Sequence, residues 1–195
     1  MALQLYSENH DDTIKKEFTI SVLSENKSGL LNAVTIIFTR RKINIENINV
    51  SETEIEGVSR YHIVVNTTRA RVEKVVKQIR KIVEVLGAFV YEEDDIHYQE
   101  IALYKVPTEI FLGGNKIETI VRANNARILV IEKDYIVIEK TGHKDETKRL
   151  FELLKPHGLL EYVRSGRITI SKSRRKTETF LEQLEEASLN KINYN

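Results

Sequence analysis

Two short polar segments carry the residue types best suited to holding a small molecule. The first, residues 25–31, is a glycine-containing turn between a strand pattern and a helix pattern, and the second opens at Asn44, just before another strand pattern. A helix that begins at such a turn has unpaired backbone N–H groups and a positive dipole end, and both attract a carboxylate. This arrangement favours holding a small amino acid over transforming one, so it indicates regulation.

Five residues of these segments are the candidate binding residues: Asn26, Gly29, Leu30, Asn44 and Ile45. Gly29 would let a carboxylate approach the backbone amides, although an ordinary turn glycine fits the same position. The two asparagines would hydrogen-bond a ligand's ammonium or carboxylate, and Asn26 suits a plain helix N-cap equally well. The two aliphatic side chains would shape a pocket, but each also suits the core.

Other kinds of chemistry have no recognisable pattern in the chain. A nucleophile–base pair, a carboxylate dyad and a phosphate-binding loop are all missing at useful spacing, so we do not predict an enzyme. The five histidines lack metal-ligand spacing, and zero cysteines exclude thiolate metal sites and disulfides. We therefore predict neither catalytic nor metal-binding residues.

Composition also limits the partners. Thirty basic residues against 29 acidic ones leave a formal charge of +1, which gives no reason to expect nucleic acid or an anionic membrane. An RNA-binding sheet would need exposed aromatic residues on its central strands, where this chain has mainly aliphatic ones. An apolar stretch of membrane-spanning length is not visible, and neither is a signal peptide. We expect a cytoplasmic protein.

Strands and helices that could position the two segments follow from hydrophobic periodicity. In the first half we predict strands at 17–24, 44–53, 58–67 and 85–91, with helices at 29–41 and 69–83. The second helix carries an apolar stripe that we extend to Val83. The order β-α-β-β-α-β is that of a ferredoxin-like unit.

Residues 98–171 repeat this order with little shared sequence. We predict a strand around 101–106, helices at 117–124 and 144–155, and strands at 126–131, 135–139, 159–163 and 167–171. The predicted fold class is thus α+β, with two ferredoxin-like βαββαβ domains. We divide the chain into a flexible N-terminus (1–16), a binding domain (17–92), a second domain (97–172) and a basic tail with an amphipathic helix (173–195), with the acidic run 92–95 as a hinge.

Several motifs connect the chain to a known family. They are Ser21 to Gly29, Phe38-Thr39-Arg40-Arg41, Asn44-Ile45-Glu46, Ser59-Arg60, Leu153-Leu154-Lys155-Pro156, Gly158, Val163-Arg164-Ser165-Gly166-Arg167 and Ser171. Over roughly residues 17–172 the chain resembles the regulatory small subunit of acetohydroxyacid synthase, also called acetolactate synthase. Its first domain resembles that family's amino-acid-binding ACT domain.

The resemblance implies a non-catalytic partner of a catalytic large subunit. That large subunit holds thiamine diphosphate, FAD and magnesium, and it condenses pyruvate with pyruvate or 2-oxobutyrate on the way to valine, leucine and isoleucine. The small subunit would bind no cofactor itself. It would activate the large subunit and confer feedback inhibition by a branched-chain amino acid, most often valine. The resemblance further implies a homodimer through ACT domains with the effector between them. The alternative is an ACT-type amino-acid sensor that regulates a different enzyme.

Two positions depart from the family pattern. Lys42 stands where the family commonly has glycine. If this residue follows the helix in the left-handed conformation, lysine costs about 1 kcal/mol relative to glycine, and the alternative is a different helix exit. The loop at 107–117, with Gly113-Gly114, also departs from the pattern.

Overall fold

A computed structural model describes residues 14–112 and 116–173 of the chain. The predicted flexible N-terminus up to residue 13, the Gly113-Gly114 pair and the tail from residue 174 lie outside the described residues. Within the described ranges, none of the helices has the length and apolar character needed to cross a membrane.

The chain divides into two compact units. The described part of the first unit comprises residues 14–97 and 170–173, and the second unit comprises residues 98–169. The acidic run at 92–95, predicted as a hinge, contains a 3-10 turn at Glu93–Asp95. The next strand begins directly after this turn, at Ile96.

The first unit is a four-stranded antiparallel sheet with two helices. Its elements are β1 (Lys16–Glu25), α1 (Leu30–Arg40), β2 (Ile45–Glu52), β3 (Val58–Thr67), α2 (Arg69–Ile79) and β4 (Val85–Tyr91). The strand order is β2-β3-β1-β4, so β2 and β4 are the edge strands. This topology confirms the predicted ferredoxin-like order for the first half of the chain.

Both helices of the first unit pack on one face of the sheet. Every second residue of β1 faces them, namely Phe18, Ile20 and Val22, and the helices contribute Val34, Phe38, Val72, Val75, Val76 and Ile79 to the same core.

Helix α2 ends at Ile79, so its predicted extension to Val83 is wrong. Val83 is 91% exposed. The Arg80 side chain, just past the helix, donates to the Ala88 carbonyl at 2.8 Å and ties the following turn to β4.

The second unit repeats the plan with additions. Its elements are β5 (Ile96–Pro107), α3 (Thr108–Leu112), α4 (Lys116–Ala123), β6 (Arg127–Ile131), β7 (Tyr135–Gly142), α5 (Lys144–Leu154), β8 (Glu161–Arg164) and β9 (Ile168–Ser171). The order β6-β7-β5-β8 reproduces that of the first sheet, and β9 also pairs with β5. The predicted fold class is therefore confirmed, and α3 is an element that the periodicity did not predict.

A buried polar network joins β5, α5 and β8. The Tyr104 hydroxyl donates to the Thr147 carbonyl at 2.6 Å, and burial raises the pKa of Tyr104. The Thr147 hydroxyl donates to Glu100 Oε1 at 2.5 Å, and Arg164 Nη1 lies 3.3 Å from the same oxygen. Arg164, the first of the two arginines in the Val163 to Arg167 motif, thus pairs with the buried carboxylate of Glu100.

Candidate ligand-binding site

The turn between β1 and α1 leaves a helix N-terminus open. Gly29 is the N-cap with φ +82°, in the left-handed region that favours glycine. No side chain caps this end, and the first turn of α1 has no acidic residue. Among the described residues beyond its chain neighbours, no heavy atom lies within 4 Å of where a β-carbon on Gly29 would stand. The positive dipole end of α1 is therefore accessible to an anion.

Asn26 is held by the hairpin that joins β2 to β3. Its backbone N–H donates to the Gly57 carbonyl at 2.8 Å, and its side-chain Nδ2 donates to Glu52 Oε1 at 2.7 Å. The alternative of a plain N-cap at this position is wrong, because Gly29 occupies the N-cap. Leu30 begins α1 and is buried, as the core alternative requires. We call Asn26, Gly29 and Leu30 the turn half-site.

Asn44 and Ile45 lie where β2 begins. Asn44 is exposed, and its Nδ2 donates to Glu46 Oε1 at 3.2 Å. Ile45 is half-buried against the first core. We call these two residues the strand half-site. Both half-sites therefore pair an asparagine amide with a carboxylate.

The two half-sites lie at opposite ends of β2. Through β3, Ile45 is level with Phe18 at the start of β1, whereas Glu52 is level with Ser24 at its end. At about 3.3 Å per residue, the length of β2 separates them by roughly 23 Å. One chain does not bring the five predicted residues together. Sequence reasoning also missed Glu52. The only signal in the sequence was its position, as an acidic residue at the end of a predicted strand.

Charge around the turn half-site is mixed. The Lys27 ammonium pairs with the Glu25 carboxylate, and this hydrogen bond raises the pKa of Lys27. Glu52 adds negative charge beside the Asn26 amide. A zwitterion meets both of its requirements here, with backbone N–H groups for its carboxylate and carboxylates for its ammonium.

Lys42 adopts the left-handed conformation. It follows the C-cap Arg41 and has φ +50°. This confirms the conditional prediction that the residue after α1 occupies the position that favours glycine. The guanidinium of Arg71 donates to the Arg41 carbonyl at 2.6 Å and binds this exit to α2. Lys42 is therefore a non-glycine residue with left-handed backbone geometry, and hydrogen bonds to Thr39 and from Arg71 fix the backbone at this helix exit.

Two family models match the chain in succession. The "AHAS small subunit-like ACT domain" matches residues 20–87, and the "small subunit of acetolactate synthase" matches residues 99–173. The two matches fall on the two units in chain order, and the first spans both half-sites.

Individual relatives agree with the family models. The acetolactate synthase small subunit of Mycolicibacterium smegmatis is 34% identical over 157 residues, which are 80% of this chain and 92% of the relative. The Bacillus subtilis small subunit is 36% identical over 154 residues, 78% of this chain and 88% of the relative. The crystal structure of the Thermotoga maritima small subunit superposes with a TM-score of 0.74 at 28% identity, covering 82% of this chain and 99% of that one. The chain therefore belongs to the acetolactate synthase small-subunit family, and its first unit is an ACT domain.

Proposed function

We propose that this chain activates the catalytic large subunit of acetolactate synthase and makes it sensitive to a branched-chain amino acid, with valine as the effector. The observation that carries the proposal is the uncapped N-terminus of α1 beside Asn26, in an ACT domain of this family. The carbon–carbon bond-forming chemistry, with thiamine diphosphate, FAD and magnesium, belongs to the large subunit. This chain contributes the effector-binding site and couples effector binding to the activity of the large subunit.

The half-sites match the chemistry of an aliphatic amino acid. The N–H groups at the start of α1 would receive the effector's carboxylate, since charge-assisted hydrogen bonds to backbone amides are among the strong ones. Glu52, Glu46 and the asparagine carbonyls offer acceptors for the ammonium group. Ile45 lies half-buried beside Asn44 and presents an apolar surface to the effector's side chain.

A homodimer would complete the site. Strand β2 is a sheet edge, and an edge strand offers unpaired backbone groups to another chain. Antiparallel pairing of two β2 strands about a two-fold axis places the end of one strand beside the start of the other. The turn half-site of one protomer then meets the strand half-site of its partner, twice per dimer.

Regulation requires that the effector bind one arrangement of the dimer better than another. The coupling between such a site and a distant active site is typically about 1–3 kcal/mol. Asn26 is hydrogen-bonded to Glu52 at the end of β2 and to Gly57 in the following hairpin. An effector that displaces Glu52 from Asn26 would therefore remove one of the hydrogen bonds that fix the end of β2.

The test is the synthase activity of the cognate large subunit, purified with and without this chain, over a titration of valine. We expect stimulation by the chain and reversal of that stimulation by valine, with leucine and isoleucine titrations as the selectivity control. Stimulation without any response to the three amino acids would contradict the effector assignment. No stimulation at all would contradict the proposed function.

A further inference from the structure

Where the end of α1 packs beside α2, the first unit carries a group of positively charged side chains. Arg71, in the first turn of α2, donates from Nη2 to the Arg41 carbonyl at 2.6 Å, and Arg41 Nε donates to Gln78 Oε1 at 2.8 Å. Because Arg71 and Gln78 both reach Arg41, the exposed Lys74 between them lies on the same side of α2. Lys42 follows Arg41 directly and is exposed. We call these five residues the basic cluster: Arg40, Arg41, Lys42, Arg71 and Lys74.

The basic cluster has no acidic counterpart on the two helices. From residue 30 to residue 45 the chain has no aspartate or glutamate. The glutamate of α2, Glu73, pairs instead with Arg69 at 2.7 Å. Within residues 14–112 and 116–173, none of the five cations forms a salt bridge. Like charges gathered in this way repel one another, so a surface that brings carboxylates to them gains electrostatic free energy.

The energetics of the helices account for only part of the basic cluster. Arg40 and Arg41 lie at the C-terminus of α1, where the helix dipole favours cations. Arg71 fastens the α1 exit through backbone carbonyls, although it lies at the dipole end of α2 that disfavours a cation. The ammonium groups of Lys42 and Lys74 have neither role. Lys42 also has φ +50°, a conformation that costs lysine more than glycine, so this position carries a cation despite a penalty to the fold.

Aliphatic side chains on the same helix indicate the kind of partner. Leu31 and Ile36 are 43% and 40% exposed on α1, and Ile36 lies one turn before Arg40. Small-molecule sites are concave, whereas these side chains are exposed on the outer sides of two packed helices. A nucleic acid would neutralise the cations but leave the aliphatic side chains in water. An acidic protein surface would neutralise the first and cover the second, and arginine is enriched in such interfaces.

We propose that the basic cluster docks this chain on an acidic surface of the catalytic large subunit, and that activation requires this contact. The inference rests on the proposed function, since it names the surface through which the chain acts. The charges accelerate the encounter and select the partner, and Ile36 contributes apolar area at the centre of the contact. Lys42 thus strengthens the complex while it weakens the fold of the free chain.

A variant that folds better but docks worse tests the proposal. Lys42→Gly combined with Lys74→Gln removes two cations, and the glycine relieves the left-handed strain at residue 42. We expect the concentration of this variant that half-maximally stimulates the large subunit, measured without added amino acids, to rise about tenfold or more over the wild-type value. Raising the salt from about 0.05 to about 0.3 M should raise this concentration more for the wild type than for the variant.

Association rates separate docking from a change in the activated complex. With the large subunit immobilised, interferometry should show slower association of the variant, because removal of interfacial charge acts mainly on the association rate. The variant's urea midpoint should be no lower than that of the wild type, so that weaker docking cannot be ascribed to unfolding. An unchanged association rate would overturn the proposal.

The matched control removes two exposed lysines from α5 instead, with Lys144→Gln and Lys148→Gln. It should stimulate at the wild-type concentration. Equal stimulation by the Lys42→Gly, Lys74→Gln variant and the wild type would overturn this inference and leave the proposed function standing, as would an equal loss in the control. Tighter binding of the wild type to a short single-stranded RNA than to the large subunit would overturn the choice of partner. No stimulation by the wild type would contradict the proposed function and this inference with it.

Discussion

Gly29 has a left-handed backbone conformation and leaves the N-terminus of α1 without a side-chain cap. A single substitution can separate these two properties. Aspartate tolerates the left-handed conformation better than most residues and favours helix N-termini, so Gly29→Asp should retain the fold. Its carboxylate would occupy the end of α1 that the effector's carboxylate needs. We expect Gly29→Asp to activate the large subunit normally and to lose the valine response by at least about tenfold in effective concentration, measured as synthase inhibition.

The matched control is Gly29→Asn, which has the same shape without the charge. It should weaken the valine response less than Gly29→Asp does, because the asparagine side chain adds volume but no negative charge. An Asp variant with the full valine response would remove Gly29 from the site.

His62 makes stability depend on pH. Its folded pKa of about 4 lies below the ordinary value of 6.5, because burial and, to a smaller extent, Arg60 disfavour its charged form. The unfolded chain therefore binds the proton first as pH falls. Stability is fully present above about pH 6.5 and is lost toward pH 4, by up to about 3 kcal/mol.

Urea unfolding between pH 7.5 and 4.5 measures this loss. His62→Gln should flatten the profile across that window, and His97→Gln, at an exposed position, should leave it unchanged. Equal slopes for all three proteins would show that His62 does not control the transition.

At the scale of elements, the end of α1 stores strain. Lys42→Gly should raise the free energy of unfolding by about 1 kcal/mol, because glycine adopts φ +50° without a steric penalty. Asn125→Gly is the control. Its φ is +49°, but asparagine already tolerates this region, so it should gain only a few tenths of a kcal/mol. Denaturant midpoints with unchanged slopes would measure both gains, and a destabilised Lys42→Gly variant would refute the strain.

Periodicity predicted most elements, and its failures have identifiable causes. Strand β4 begins and ends where the alternation predicted. Helix α2 was extended too far because Ile82 and Val83 continue its apolar stripe, whereas Arg80 bonds to Ala88 and turns the chain. Residue types indicated two asparagine segments beside strands as candidate binding residues, and their role in binding stays a prediction. Their separation follows from the parallel course of β1 and β2 on either side of β3, which composition does not encode.

At the scale of the whole molecule, the dimer proposal makes a complementation prediction. Gly29→Asp and Asn44→Ala disable different half-sites, so each variant alone should bind no valine. A co-refolded equal mixture contains heterodimers with one intact site each. By random assortment it should show about a quarter of the wild-type valine sites in calorimetry. A mixture with no sites at all would place the complete site within one chain.

In the proposed dimer, the separation of the half-sites along β2 makes the apparent affinity for the effector depend on protein concentration. A ligand that needs residues of two chains binds only the dimer, so its binding and dimerisation form one equilibrium. Dilution below the dimer dissociation constant then weakens the apparent affinity for the effector, and saturating effector in turn holds the dimer together at lower concentration. The amino-acid level at which feedback begins would thus vary with how much of this subunit the cell makes, and expression itself would adjust the threshold.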